Sequence, residues 1–403
     1  MPWRRPRRKV DRPVNVSRAI EESLEDIAAG DDEDDSVELA DVDGASIVEA
    51  VSGEADAESH EQSHLAEQLS RIDVSETASV TPVRSTDRLE DGVDLAVDAA
   101  RGLRLKNPVL TASGTFGQGV EYAELFDVAR LGAIVNKGTT VLARPGNPQY
   151  RIAETPSGIL NSIGLENPGA AGVARKYAKA WAQLGVPVIV NVAGYSVDDY
   201  VTVVSEFAGI TSVVAYELNI SCPNVKGGML FGFDPDLAGQ VTAAVKQETD
   251  RPVIVKLTPN APDVVAVARA IEQAGADGLT AINTVLGMRI DTKKQRPILG
   301  TGSGGLSGPA IRPIAVHITY QVAQAVSIPI IGAGGVTCAE DALEFLMAGA
   351  SAVQVGTATF ADPLAPIKVI EGLAAYVRSH GLSSIRDVIG LALPKGEPGT
   401  EGW

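Results

Sequence analysis

Cysteine is nearly missing from this 403-residue chain, which holds only Cys222 and Cys338. That excludes a disulfide scaffold and a cysteine-ligated iron–sulfur cluster within the chain, and it fits a reducing compartment. No run of about 18 apolar residues occurs, so no membrane span is expected. The basic start, Arg4 to Arg12, is followed by no apolar stretch and does not read as a secretory signal. Positive charge is in deficit, with 34 Lys/Arg against 51 Asp/Glu and a formal charge of −17. A general nucleic-acid-binding surface is not expected at that balance. These absences together describe a cytoplasmic protein.

The acidity is unevenly placed. Residues 1–90 carry 23 Asp/Glu and 10 Lys/Arg, and residues 13–80 contain no aromatic side chain. Such a segment buries too little apolar area to offset roughly 1–2 kcal/mol of backbone entropy per residue. Residues 1–90 therefore read as a disordered acidic extension, either a solvated tail or a partner-binding arm. His60-Glu61-Gln62-Ser63-His64 matches the H-E-x-x-H zinc pattern. Its neighbours offer no apolar face to pack a helix and no third ligand, so no metal site is expected.

From about residue 93 short β-branched runs alternate with amphipathic stretches. Strands are expected at Pro108–Ser113, Ala133–Gly138, Val186–Gly194, Ala215–Ser221, Pro252–Thr258, Gly278–Thr284, Pro329–Gly335 and Ala352–Thr357. Helices are expected over 121–130, 168–184, 197–208, 235–249, 262–274, 309–326, 338–348 and 364–379. Eight strand–helix units imply a parallel sheet buried on both faces. The fold class is α/β, a (β/α)8 TIM barrel over residues 91–393 with a C-terminal tail at 394–403. A doubly wound open sheet is the structural alternative.

Barrel chemistry sits at the C-terminal strand ends. Those ends carry Ser113, Lys137, Asn191, Asn219, Cys222, Lys256, Asn283, Thr284, Gly334, Gly335, Gly356 and Thr357. The last four follow the seventh and eighth strands, where barrels often bind phosphate; tight turns that simply need glycine are the alternative. Gly300 to Gly305 formally fits G-x-G-x-x-G but reads as a flexible loop, since no strand-to-helix turn surrounds it. Lys137 and Lys256 suggest a ligand with delocalised negative charge, or else structural salt bridges. Asn161, Asn191, Asn219 and Asn283 offer donors and acceptors suited to a flavin ring or a pyrimidine. The four histidines, His60, His64, His317 and His380, avoid the strand ends. Cys222 is then the best candidate for a general base, and Cys338 reads as an inert buried thiol.

These residues stand in longer phrases: NPVLTASGTFGQGVEY (107–122), VNKGTT (135–140), NSIGLENPG (161–169), NISCPNVKGG (219–228), VIVKLTPN (253–260), INTVLGMRID (282–291), GGLSGPAIRP (304–313), IIGAGGV (330–336) and VQVGTA (353–358). From about 93 to 390 the chain resembles the class 1 dihydroorotate dehydrogenases, most closely subclass 1B. The resemblance implies oxidation of (S)-dihydroorotate to orotate in pyrimidine (UMP) biosynthesis. It implies FMN held by Ser113, Lys137, Thr139, Asn191, Asn219, Lys256, Ile282, Gly308, Gly334, Gly335, Gly356 and Thr357. Substrate would contact Lys137, Asn161, Ser162, Ile163, Gly164, Leu165, Asn219, Asn283 and Thr284. Cys222 would take the C5 proton, Lys256 would stabilise charge on the flavin, and a loop hinged at Gly227-Gly228 would close. The resemblance further implies a homodimer, or a heterotetramer with a partner subunit that carries FAD and a 2Fe–2S cluster and passes electrons to NAD. The alternatives are a fumarate-linked subclass 1A enzyme, another FMN barrel acting on a reduced pyrimidine, or a non-catalytic flavin-binding barrel. The acidic extension has no counterpart in the family pattern.

Overall fold

A computed structural model of the chain describes residues 92–221 and 231–394. The extension, the H-E-x-x-H motif, Cys222, Gly227-Gly228 and all but the first residue of the C-terminal tail lie outside the described residues.

Eight parallel strands form one sheet: β1 (Val109–Thr111), β2 (Ile134–Val135), β3 (Val188–Ala193), β4 (Val213–Asn219), β5 (Val253–Lys256), β6 (Gly278–Ala281), β7 (Ile330–Ala333) and β8 (Ala352–Val355). The order across the sheet is β1-β8-β7-β6-β5-β4-β3-β2. A parallel bridge between Leu110 and Ala133 joins the two ends and closes the barrel. The strands are buried along nearly their whole length, and in β3 all six residues are buried. Burial on both faces explains why they read as unbroken apolar runs rather than as an alternation.

Among the described residues seven helices of nine residues or more pack outside: α1 (Ala170–Gln183), α2 (Val197–Glu206), α3 (Pro235–Glu248), α4 (Val264–Gln273), α5 (Arg312–Ala323), α6 (Ala339–Met347) and α7 (Ala365–Ser379). Local chemistry sets their ends. Ser196 and Asp199 form a capping box at the start of α2, a device worth about 1 kcal/mol. Gly275 and Gly349 follow α4 and α6 with φ of 95° and 105°, the left-handed turn a helix C-terminus favours.

The helix expected over 121–130 is a correction. The β1–β2 connection contains only a short 3-10 helix, Val128–Arg130. Phe116 and Tyr122 stack with ring centroids 3.8 Å apart, and Asp127 caps the 3-10 turn through the Ala129 amide. The apolar residues of this stretch thus serve a folded loop rather than one helix face.

Two other additions frame the barrel. A hairpin, Val97–Ala100 with Leu103–Leu105, packs against the starts of β6, β7 and β8 and stops the bottom. Four antiparallel strands form a platform on the opposite side, in the order Val285–Gly287, Gly304–Ser307, Gly158–Asn161, Ile152–Thr155. They come from the loops after β2 and β6. The expected flexible loop at Gly300 to Gly305 therefore ends inside a strand.

Candidate active site

The barrel interior near the C-terminal strand ends holds a buried polar group. At its centre is Glu217 of β4, fully shielded from solvent. Asn191 of β3 donates from Nδ2 to Glu217 Oε1 at 2.8 Å. Thr280 of β6 donates from Oγ1 to Glu217 Oε2 at 2.8 Å, and Gln354 of β8 donates from Nε2 to the same oxygen. Lys256 of β5 lies 3.6 Å from Oε1. Its Nζ also donates to Gln354 Oε1 at 3.0 Å and reaches Ser113 Oγ at 3.5 Å. Burial of a charge is costly unless it is paired and hydrogen-bonded. Here one acid and one base, supported by three neutral donors, meet that requirement.

Asn191 is fixed twice. Its backbone N–H donates to Asn136 Oδ1 at 2.7 Å, and its side-chain amide is oriented by Glu217. Asn191 Oδ1, by contrast, is buried and accepts no hydrogen bond from the described residues. It faces Gly138, where an added Cβ would lie 3.1 Å from that oxygen and 3.1 Å from Leu165 Cδ2. Thr139 joins the same corner, donating its N–H to Asn191 O at 2.9 Å.

Lys137 follows β2 and is half-buried. Its N–H donates to Gly117 O at 2.8 Å, and its carbonyl accepts from Thr139 Oγ1 at 3.1 Å. Its ammonium pairs with no carboxylate among the described residues. Asn219 lies opposite Lys256 in the β4–β5 ladder, and its Oδ1 accepts from Asn283 Nδ2 at 3.2 Å. Asn283 Oδ1 in turn accepts from the Thr284 N–H at 2.8 Å.

Residues 161–165 run off the platform and are held at nearly every step. Asn161 donates to Gly305 O at 3.2 Å. Asn147 Nδ2 and Thr301 Oγ1 both donate to Ser162 Oγ, at 2.9 and 2.7 Å. Ile163 O accepts from the Asn147 N–H at 2.9 Å. Arg144 reaches Gly164 O at 3.4 Å, and Asn167 donates to Leu165 O at 2.7 Å. Leu165 itself has φ of 55°.

A third region is built from glycine. The turns after β6, β7 and β8 meet at Gly308, Gly334, Gly335, Gly356 and Thr357. A Cβ on Gly335 would lie 2.8 Å from Gly308 O, and one on Gly308 would lie 2.9 Å from Gly158 Cα. Thr357 Oγ1 donates to Ser307 Oγ at 2.8 Å. Ile282 is buried and ties its N–H to Ala333 O at 2.8 Å, drawing the end of β6 against the turn after β7. Behind that turn Asp341 accepts from the Thr337 amide and hydroxyl and from Arg312. Burial alone would raise the Asp341 carboxyl, but these donors outweigh it and hold it below the ordinary carboxylate range.

The described strand-end residues read from the sequence are thus brought into three groups at one end of the barrel, while Cys222 lies outside the described residues. Missed in the sequence were Glu217, Thr280 and Gln354, whereas Asn136 was read among the polar strand ends. Each of the missed three is a lone polar residue inside an apolar run, and that was the available signal. Among the described residues no His/Cys/Asp/Glu cluster could hold a metal, and no helix is long and apolar enough to cross a membrane.

The family model for dihydroorotate dehydrogenase matches residues 95–377. The chain is 54% identical over 297 residues to "Dihydroorotate dehydrogenase B (NAD(+)), catalytic subunit" of Anoxybacillus flavithermus, covering 73% of this chain and 95% of that protein. It is 55% identical over 296 residues to the protein of the same name from Geobacillus kaustophilus, with 73% and 95% covered. The Pelobacter propionicus protein of that name is 49% identical over 298 residues, with 74% and 98% covered.

Proposed function

The chain belongs to the dihydroorotate dehydrogenase family, and from that premise we propose that it oxidises (S)-dihydroorotate to orotate with FMN, as an NAD-linked catalytic subunit. Its electrons would pass through a partner carrying FAD and a 2Fe–2S cluster, in a cytoplasmic heterotetramer built on a homodimer. The observation that carries the cofactor assignment is the buried, unused acceptor of Asn191 at the same barrel end as the Lys256 ammonium. An isoalloxazine offers an N–H between two carbonyls, which suits one acceptor beside one cation. Gly308, Gly334 and Gly335 take φ of 98°, 132° and 81°, turns that glycine adopts readily and that can present backbone N–H groups to a phosphate.

FMN would be held by Ser113, Lys137, Thr139, Asn191, Asn219, Lys256, Ile282, Gly308, Gly334, Gly335, Gly356 and Thr357. When bound it supplies the acceptor for the hydride leaving C6 of the substrate. The chain does the rest. Lys137, with no carboxylate partner among the described residues, binds the substrate carboxylate. Asn161, Asn219, Asn283 and Thr284 orient the ring amides, and the pinned backbone of Ser162 to Leu165 walls the substrate off from water. Cys222, three residues past Asn219 in the sequence, accepts the C5 proton on Sγ as a thiolate base.

The test is to purify the native assembly and measure bound flavin. Dihydroorotate is then compared with dihydrouracil as reductant, and NAD with fumarate as acceptor. Stoichiometric FMN and a dihydroorotate–NAD reaction that needs an iron–sulfur flavoprotein are expected; colourless protein would overturn the reading. Cys222→Ala should retain FMN while turnover falls by about 10²- to 10⁴-fold.

A further inference from the structure

Glu217 is the one acid of the buried polar group, and the chemistry above does not require it. It touches neither rim nor solvent, and no proposed contact with substrate or flavin includes it. Stability alone gives little reason for it, since a buried ion pair can often be replaced by well-packed apolar residues at no loss. Its effect is on its neighbours.

An ionised carboxylate only accepts hydrogen bonds. Every group around Glu217 must therefore turn a donor toward it. Asn191 does so through Nδ2 at 2.8 Å; the reversed amide would set two acceptors against each other. Its Oδ1 is thereby forced outward, toward Gly138, where it stands without a donor. Gln354 is constrained on both sides: Nε2 meets Glu217, and Oε1 meets Lys256 Nζ at 3.0 Å. Reversal would place an amino group against an ammonium. One carboxylate thus dictates the orientation of two amides on strands β3 and β8, and through the second it steadies the cation on β5.

We propose that Glu217 is a positioning residue that sets the polarity of the barrel mouth, fixing Asn191 as an acceptor and Lys256 as a partly compensated cation toward the pyrimidine edge of the flavin. This rests on the FMN reading above. The electrostatic consequence has a definite sign. Glu217 offsets part of the Lys256 charge, so it restrains how far that charge favours the reduced, more anionic flavin. Removing the carboxylate charge removes the restraint. It also gives Asn191 a neighbour that both donates and accepts, so the outward oxygen is no longer enforced.

The experiment compares Glu217→Gln and Glu217→Asp with the wild type in the full chain, assembled with its partner subunit where one co-purifies. The FMN dissociation constant and the midpoint potential of the bound flavin are measured. Glu217→Gln should weaken FMN binding at least ~10-fold and shift the potential of the remaining holoprotein to a more positive value. Glu217→Asp, which keeps the charge, should lie nearer the wild-type potential. A purely structural role would lower the melting temperature and leave the potential unmoved; an unchanged potential in Glu217→Gln therefore overturns the proposal. If that variant does not fold, Gln354→Met keeps both charges and removes the link to Lys256. It should weaken FMN binding, and an unchanged dissociation constant would count as the same refutation. Failure of the wild type itself to bind FMN would instead defeat the functional reading on which this rests.

Discussion

Lys137 and Lys256 look alike in the sequence: each closes a β-branched run at a strand end. The structure separates them. Lys256 is only 4% exposed and sits within an acid–amide network contributed by four other strands and the turn after β1. Lys137 is half-buried, its backbone is tied down on both sides, and its ammonium has no acid beside it among the described residues. The first charge is compensated by the fold. The second is held in place and left available. A strand-end lysine thus has two physical meanings, and only the positions of the surrounding acids distinguish them.

The largest expected effect comes from breaking the compensated member. Lys256→Ala leaves Glu217 buried without its counter-charge, which should cost about 3–5 kcal/mol of unfolding free energy. Denaturant unfolding of the purified variant measures this, and a wild-type midpoint would erase the distinction. Lys137→Ala should leave the unfolding midpoint within about 0.5 kcal/mol, while the KM for dihydroorotate rises about 10- to 100-fold through loss of a charge-assisted contact. A variant that unfolds early with an unchanged KM would place Lys137 with the structural charges.

Asp341 supplies the smallest and most specific refinement, being a compensated charge at the rim rather than in the core. Its carboxyl is held low in the folded protein. The stability it adds is therefore present above the ordinary carboxylate range and is lost as pH falls through its folded value. Asp341→Asn should cost about 1 kcal/mol near neutrality by removing the charge that Arg312 and the Thr337 donors stabilise. The gap to wild type should close in acid. A gap that does not change with pH, followed by thermal unfolding, would remove the charge from the explanation.

The barrel was legible because its strands are buried on both faces and carry uninterrupted apolar runs, as in Val188–Val190 or Val253–Val255. The strand-end lysines and asparagines were legible as breaks in those runs. The antiparallel platform was not, since Gly158, Gly287, Gly304 and Gly305 blur the two-residue alternation that marks a half-exposed strand. Glu217 and Gln354 were hidden for a different reason. Each is a single polar residue within a strand, and their meeting depends on how eight strands stagger around a closed cylinder, which no local window records. Residues 121–130 misled because apolar spacing suited to a helix served an aromatic stack instead.

The platform has one more implication. Gly158–Asn161 from one excursion of the chain and Gly304–Ser307 from another are rungs of a single ladder, with Asn161 opposite Gly305 and Leu160 opposite Leu306. Neither excursion can be lengthened, shortened or transplanted without stranding the other's backbone partners. Anyone recombining this scaffold with a relative's to alter its preference for ring substituents must therefore exchange residues 152–161 and 285–307 as a matched set.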